Sequence, residues 1–194
     1  MDTSRWPRRL AGMDTEDFLH HAEEFHGHLS PGVVAGAFLV EAAGRRLGPS
    51  EHLNAVVETV VCLPDAVQLL TPCTLGNGFL QVLDWGKFAL TLYDRMTLAG
   101  VRAWLDPARV ARHERVAAWY LRRGVKVDKE RVIADLLGVG RDLVSSRPVR
   151  LEAALKDTAR FPTAVCPDCG ETYPTRWGER CLACAGRAYY RPAE

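Results

Sequence analysis

The chain has 194 residues, of which 47% are hydrophobic and 25% are charged, and its formal net charge is +1. This length allows one full hydrophobic core with a small appendage, and the composition is ordinary for a soluble globular protein. The apolar run at residues 33–40 is too short to span a bilayer, and the first nine residues lack the apolar segment of a secretion signal. We therefore expect a cytoplasmic protein that does not associate with membranes. Its six cysteines are then not a secreted disulfide framework.

The N-terminal region is expected to be a loose arm, residues 1–12, followed by a helix. Asp14 is the predicted N-cap of this helix, since its carboxylate can accept from free backbone amides. An apolar stripe at helical spacing supports the assignment. The stripe consists of Phe18, Ala22 and Phe25.

Two histidines separated by one glycine follow this helix. His26 and His28 precede Ser30 and Pro31, which read as the N-cap and first residue of a second helix that ends near Leu47. The helix dipole at that position favours neutral imidazole, the form that binds a metal. The pair therefore indicates a metal or catalytic site, although both rings could instead hydrogen-bond to nearby carbonyls.

The middle of the chain alternates short β-branched runs with turn residues, which predicts a small sheet. The predicted strands are residues 55–61, 79–84, 88–94 and 101–105, with a short helix at 65–70. The last three strands are expected to be joined by hairpins. The order α-β-α-β-β-β defines an α+β domain with a small mixed sheet whose strands are mostly antiparallel.

A helical extension is predicted after the sheet. One long helix is expected from Pro107 to about Arg123, and a second from about Lys129 to Leu137, where Gly138 ends it. Residues 145–148 read as a joint. The predicted organisation is an arm at 1–12, an α+β domain with its helical extension at 13–146, and a cysteine-rich tail domain at 147–194.

The tail contains two CxxC pairs separated by eleven residues. Each pair directs two thiolates to one point, and four thiolates complete the tetrahedral shell that zinc prefers. The predicted ligands are Cys166, Cys169, Cys181 and Cys184. A tail this small has too little core to fold alone, so zinc would be structural. A redox CxxC pair and an iron–sulfur cluster are the alternatives.

The charge of the tail bears on its partners. Residues 147–194 contain eight basic and six acidic side chains, which is too balanced for strong binding to phosphates. We expect a protein contact or a dimer-stabilising role rather than nucleic-acid binding.

A second metal site is predicted from residues far apart in the sequence. Cys62 and Cys73 flank the short predicted helix, and with His26 and His28 they form a mixed sulfur and nitrogen ligand set that suits a transition metal. Asp65 lies between the cysteines and is a candidate acid or base, or the cap of its helix. The alternative is that both cysteines are buried small hydrophobic residues.

These motifs resemble those of the FmdE family, named for the FmdE component of formylmethanofuran dehydrogenase. The stretch from Phe25 to Gly32 resembles the family's HGHxCPG signature, with Ser30 where the family has cysteine. Residues 58–76 and 86–95 resemble its second and third motif blocks. The resemblance implies an α+β core of the FwdE/GAPDH-like type, a homodimer, and a pocket metal bound by the motif histidines and the later cysteines. Several members carry a similar C-terminal zinc ribbon.

The function implied by the resemblance is that of a metal-binding accessory or subunit-type protein, with a possible partner protein, linked to molybdenum, tungsten or one-carbon redox metabolism. A small metal-dependent enzyme of unknown substrate is the first alternative, with Asp65 as its acid or base. A zinc-ribbon regulator is the second, although it would need a basic face that the sequence lacks.

Overall fold

The computed structural model describes residues 6–121, 126–155 and 161–191. The chain divides into two compact units, residues 1–156 and 157–194. In the first unit a five-stranded sheet has the order β4-β3-β5-β6-β7. Its strands are β3 (Leu53–Val57), β4 (Leu80–Val82), β5 (Ala89–Asp94), β6 (Ala99–Leu105) and β7 (Val144–Arg150). β4 is parallel to β3 and the other pairs are antiparallel, so the predicted mixed sheet and α+β class are confirmed.

The helices of this unit form a layer around one very apolar helix. They are α1 (Thr15–His26), α2 (Pro31–Leu47), α3 (Leu63–Leu70), α4 (Pro107–Val110), α5 (Glu114–Tyr120) and α6 (Lys129–Leu143). The side chains from Pro31 to Val40 are all buried, since α2 packs against the sheet, α3 and α6. Asp14 and Ser30 cap α1 and α2 as predicted, each accepting from the amide two residues on.

The core forms where alternate sheet residues face α2. Successive side chains of a strand point to opposite faces, so Ala55, Leu92 and Val101, which are neighbours in register, share one face. All three are buried in the same cluster as Val34 and Phe38 of α2. Close packing of α2 on α3 depends on Gly36, because a Cβ there would lie 2.6 Å from Cβ of Ala66.

Three sequence predictions about the helical extension were wrong. The single helix predicted from Pro107 is divided into α4 and α5, since residues 111–113 form a turn; the predicted end near Arg123 lies outside the described residues. Gly138 does not end α6, which continues to Leu143 and buries its apolar face. The predicted joint at 145–148 is part of β7, which pairs along its length with β6. The domain boundary expected at 146/147 therefore falls within a strand.

The N-terminal segment and one predicted hairpin also differ. Residues of the expected arm form β1 (Arg9–Leu10), which pairs with β2 (Met13–Asp14), and Leu10 is fully buried. The strands predicted at 79–84 and 88–94 do not form a hairpin, because β3 lies between β4 and β5. Within the described residues, no helix combines the length and apolar character needed to cross a membrane.

The second unit is built around the two CxxC pairs. β8 (Thr163–Val165) and β9 (Thr172–Pro174) form an antiparallel hairpin, with the first CxxC pair in its turn. The second pair lies at the start of a kinked turn, Ala183–Arg187. The core of this unit is very small, consisting of Cys166, Tyr173 and Cys181 with a few partly buried neighbours.

Candidate functional site

The four tail cysteines converge on one point. Among the described residues they are the one group of three or more metal-binding side chains whose ligand atoms all lie within 4.8 Å of one another. Sγ of Cys169 lies 3.8 Å from Sγ of Cys181. Two sulfurs bound to a tetrahedral zinc at about 2.3 Å are separated by about 3.8 Å, so the cluster fits zinc. A shell of four thiolates leaves no open position, which makes this zinc structural.

Local backbone geometry presents these sulfurs. Gly170 has φ +76° and its amide donates to the Cys166 carbonyl, which closes the first CxxC turn. Backbone amides of Cys181 and Cys184 lie 3.5 Å from Sγ of Cys166 and Cys181. Such contacts favour thiolate over thiol.

The thiols do not ionise equally without a cation. Donation from the Cys181 amide, and then from the Cys169 amide, lowers the pKa of Cys166 to about 6. The pKa of Cys184 is raised, chiefly by its hydrogen bond with Cys181 and by desolvation. Only a bound cation allows all four side chains to become thiolates at neutral pH.

A second cluster forms where α1 ends and α3 begins. His26 is the last residue of α1, and its Nδ1 lies 2.5 Å from Oδ2 of Asp65 in the first turn of α3. Its other nitrogen, Nε2, lies 3.7 Å from Sγ of Cys62. The His26 side chain is 15% exposed and that of Asp65 is 34% exposed, so the cluster is open to solvent on one side. Carboxylate, imidazole and thiol thus follow one another in space.

Cys62 occupies an unusual backbone position. Its φ of +57° lies in the left-handed region, which is uncommon for residues other than glycine and is concentrated at functional sites. It is the N-cap of α3 but makes no capping hydrogen bond with its side chain. Its Sγ lies 3.4 Å from Oγ of Ser30, the N-cap of α2. Cys62 therefore lies where the N-termini of two helices meet.

This cluster has the dimensions of a partial metal site. Nitrogen and sulfur bound to one tetrahedral zinc are separated by about 3.6 Å, close to the 3.7 Å between Nε2 of His26 and Sγ of Cys62. Asp65 binds the other ring nitrogen, as carboxylates commonly do behind a histidine ligand. It does not cap α3, which was the alternative from the sequence.

Two residues of the predicted ligand set lie differently. His28 is exposed, and its ring centroid lies 4.9 Å from that of His26. Cys73 is fully buried beyond the far end of α3, with Sγ 3.4 Å from the Leu53 carbonyl, and burial raises its pKa. Since Cys62 and Cys73 flank a helix about 12 Å long, the structure groups Cys62, but not Cys73, with the histidines.

Two contacts of this site could not be predicted from the sequence. The Asp65–His26 pair joins residues 39 positions apart, and the Ser30–Cys62 contact joins residues 32 positions apart. In the sequence, Asp65 stands out only by its place between two cysteines. No local signal connects these residues, because the contacts arise from packing of α1, α2 and α3.

Fold and cysteine cluster together define an α+β protein with a C-terminal zinc finger. A family model described as "FmdE, Molybdenum formylmethanofuran dehydrogenase operon" matches residues 25–151, and one described as "FmdE treble clef zinc finger" matches residues 158–191. The chain belongs to the FmdE family, as its motifs indicate. Its zinc-binding tail is a treble clef finger.

Two similar proteins extend this comparison. The crystal structure of an FmdE-like protein of the tungsten formylmethanofuran dehydrogenase type, from Syntrophus aciditrophicus, is 38% identical, with a TM-score of 0.87. The match covers 95% of this chain and 98% of that one. A probable S-adenosyl-L-methionine-binding protein from Archaeoglobus fulgidus is 32% identical over 195 residues, covering 88% of this chain and 53% of that protein. The chain thus spans about half the length of this curated relative.

Proposed function

We propose that this protein is a metal-binding accessory or subunit-type protein linked to molybdenum, tungsten or one-carbon redox metabolism, with a transition metal bound at Cys62 and His26. Membership of the FmdE family supports the metabolic context. The single observation that carries the metal site is the 3.7 Å separation of Sγ and Nε2, with the imidazole held by Asp65. The homodimer and the cytoplasmic location stay predictions from the sequence.

The donor set determines what such a site would bind. Thiolate and imidazole together suit zinc and other borderline-soft transition metals. Two protein ligands leave positions for His28, water or a substrate, unlike the closed shell of the treble clef. Asp65 accepts from Nδ1 of His26 and so leaves Nε2 free to face the metal. A site of this kind handles or senses a ligand rather than stabilising the fold.

Metal analysis of the purified full-length chain tests the proposal. We expect wild-type protein to bind one zinc in the treble clef and a second metal ion in the pocket, and C62S and H26A variants to retain only the first. Cys73→Ser is the matched control, because it removes a thiol outside the pocket and should retain both metals. A single metal per chain in wild type at every metal load, or the same loss in C73S, would contradict the pocket site.

A second candidate function is that of a small thiol-dependent enzyme. The order of Cys62, His26 and Asp65 is that of a nucleophile, a general base and the carboxylate that orients the base. In this arrangement the Cys62 sulfur would attack an acyl carbon while Nε2 accepts the thiol proton. The left-handed backbone at Cys62, directly before a helix, also presents the sulfur at the positive end of α3.

An activated acyl ester separates the two candidate functions. Incubation of the zinc-loaded protein with p-nitrophenyl acetate would, for the enzyme, acylate Cys62 with release of p-nitrophenol, and Asp65→Asn would slow this step by about 10²-fold or more. Mass spectrometry of the trapped protein locates the acyl group. If the group never appears on Cys62 while the pocket retains its metal, the accessory role is favoured and the enzyme is excluded.

A further inference from the structure

Ser30 is placed to do more than cap a helix. Its side chain is 7% exposed, and its Oγ accepts from the Gly32 amide at 3.2 Å. A hydroxyl group that accepts from an amide still has its own proton to donate. The Cys62 sulfur, 3.4 Å from Oγ, is a suitable acceptor for that proton.

The contacts of the sulfur show why this hydroxyl matters. Within the described ranges, the polar partners that the structure gives Sγ of Cys62 are Oγ of Ser30 and Nε2 of His26. His26 belongs to α1 and Ser30 to α2, so the sulfur is held between two helices. The backbone before α3 sets the Cys62 side chain at one angle only, because its φ is fixed at a strained value.

We propose that Ser30 is a positioning residue for Cys62, whose hydroxyl donates to the sulfur and holds it in the direction needed to bind a pocket metal. This inference rests on the proposed metal site and identifies the group that tunes it. Hydrogen bonds from such outer partners fix the orientation of a ligand, and their loss typically weakens metal binding by about 10- to 100-fold. The hydroxyl also limits the pocket to a single sulfur donor.

The test separates this role from helix capping. Ser30→Gly removes the hydroxyl but keeps an acceptable N-cap residue, and S30T restores a hydroxyl. Asp128→Gly is the control, because Asp128 caps α6 through the Arg131 amide in the same first unit. We expect pocket affinity, measured by competition with a chelating dye, to fall by about 10- to 100-fold in S30G. It should be unchanged in D128G and largely restored in S30T.

Cobalt substitution adds a readout that a purely structural role would not change. A hydrogen bond to a metal-bound thiolate withdraws charge from the sulfur, so S30G should move the thiolate-to-cobalt charge-transfer band to longer wavelength. Wild-type affinity and an unshifted band in S30G would overturn the proposal. A loss of affinity in D128G equal to that in S30G would overturn it as well.

A disulfide trap keeps this inference distinct from the proposed metal site. Ser30→Cys places a second sulfur against Sγ of Cys62, and mild oxidation of the metal-free chain should then yield a peptide linked between positions 30 and 62. The S30C/C62S double variant is the control and should yield none. If wild type binds no pocket metal, the proposed function fails by itself; if no linked peptide forms, the Ser30 contact is refuted whatever the metal result.

Discussion

Removal of zinc is expected to unfold residues 157–194 and to leave the first unit folded. The second unit buries little more than Cys166, Tyr173 and Cys181, so its own apolar core is too small to offset the entropy of folding. Structural zinc contributes on the order of 10 kcal/mol or more in small zinc domains. Hydrogen exchange followed by mass spectrometry should show loss of protection only in this unit after chelation, or in a C181S variant.

Acid should have the same effect as chelation. The Cys166 thiolate is stabilised in the fold, with its pKa lowered to about 6 by the Cys181 and Cys169 amides. A lowered pKa adds stability that is present above the ordinary value of about 8.5 and is lost as the pH falls through the folded value. Zinc release monitored with a colorimetric indicator should therefore rise as the pH falls below 6. Protection that persists in the zinc-free second unit would contradict a metal-dependent fold.

Gly32→Ala is expected to displace Cys62 and to abolish the pocket site. A Cβ at Gly32 would lie 2.7 Å from Cβ and 2.8 Å from Sγ of Cys62, closer than real Cβ contacts occur. Since the neighbouring atoms belong to a residue with strained backbone, relief requires movement of α3 or of the Cys62 side chain. We expect a loss of about 1–3 kcal/mol in the free energy of unfolding, together with loss of the second metal ion. Urea denaturation and metal analysis measure the two effects.

Gly44→Ala is the matched control for this substitution. It lies in the same helix, and its nearest neighbour would be Cδ1 of Leu92 at 3.9 Å, an ordinary contact. Alanine in a helix interior is more favourable than glycine by about 0.5–1 kcal/mol, so G44A should be as stable as wild type or more so, with both metals bound. If G32A behaves like G44A, the close approach of α2 to Cys62 is not what shapes the pocket.

Local chemistry explains which parts of this protein were predictable. Asp14 and Ser30 cap their helices because each side chain reaches an amide two residues away, and the two CxxC pairs converge because each forms its own turn. These interactions are encoded by neighbouring residues. The α+β class followed from the order of such segments, and the family motifs agree with it.

Predictions failed where a nearby residue was outweighed by a distant partner. Gly138 reads as a helix end, but burial of Leu136, Leu137 and Leu143 carries α6 past it. Residues 145–148 read as a joint, but pairing with β6 makes them a strand despite Pro148. The hairpin expected between 79–84 and 88–94 is absent because β3 takes the position between those strands.

The sequence by itself determined the zinc cluster, the caps of α1 and α2, and the histidines and cysteines eligible for a second site. Only the tertiary structure decided among them. Packing of α1, α2 and α3 places His26 against Asp65 and Cys62, with Ser30 beside the sulfur, while Cys73 stays buried against the Leu53 carbonyl. The reason is physical: the zinc ligands lie in turns that the local chain shapes, whereas the pocket joins three helices through contacts that span more than thirty residues of sequence.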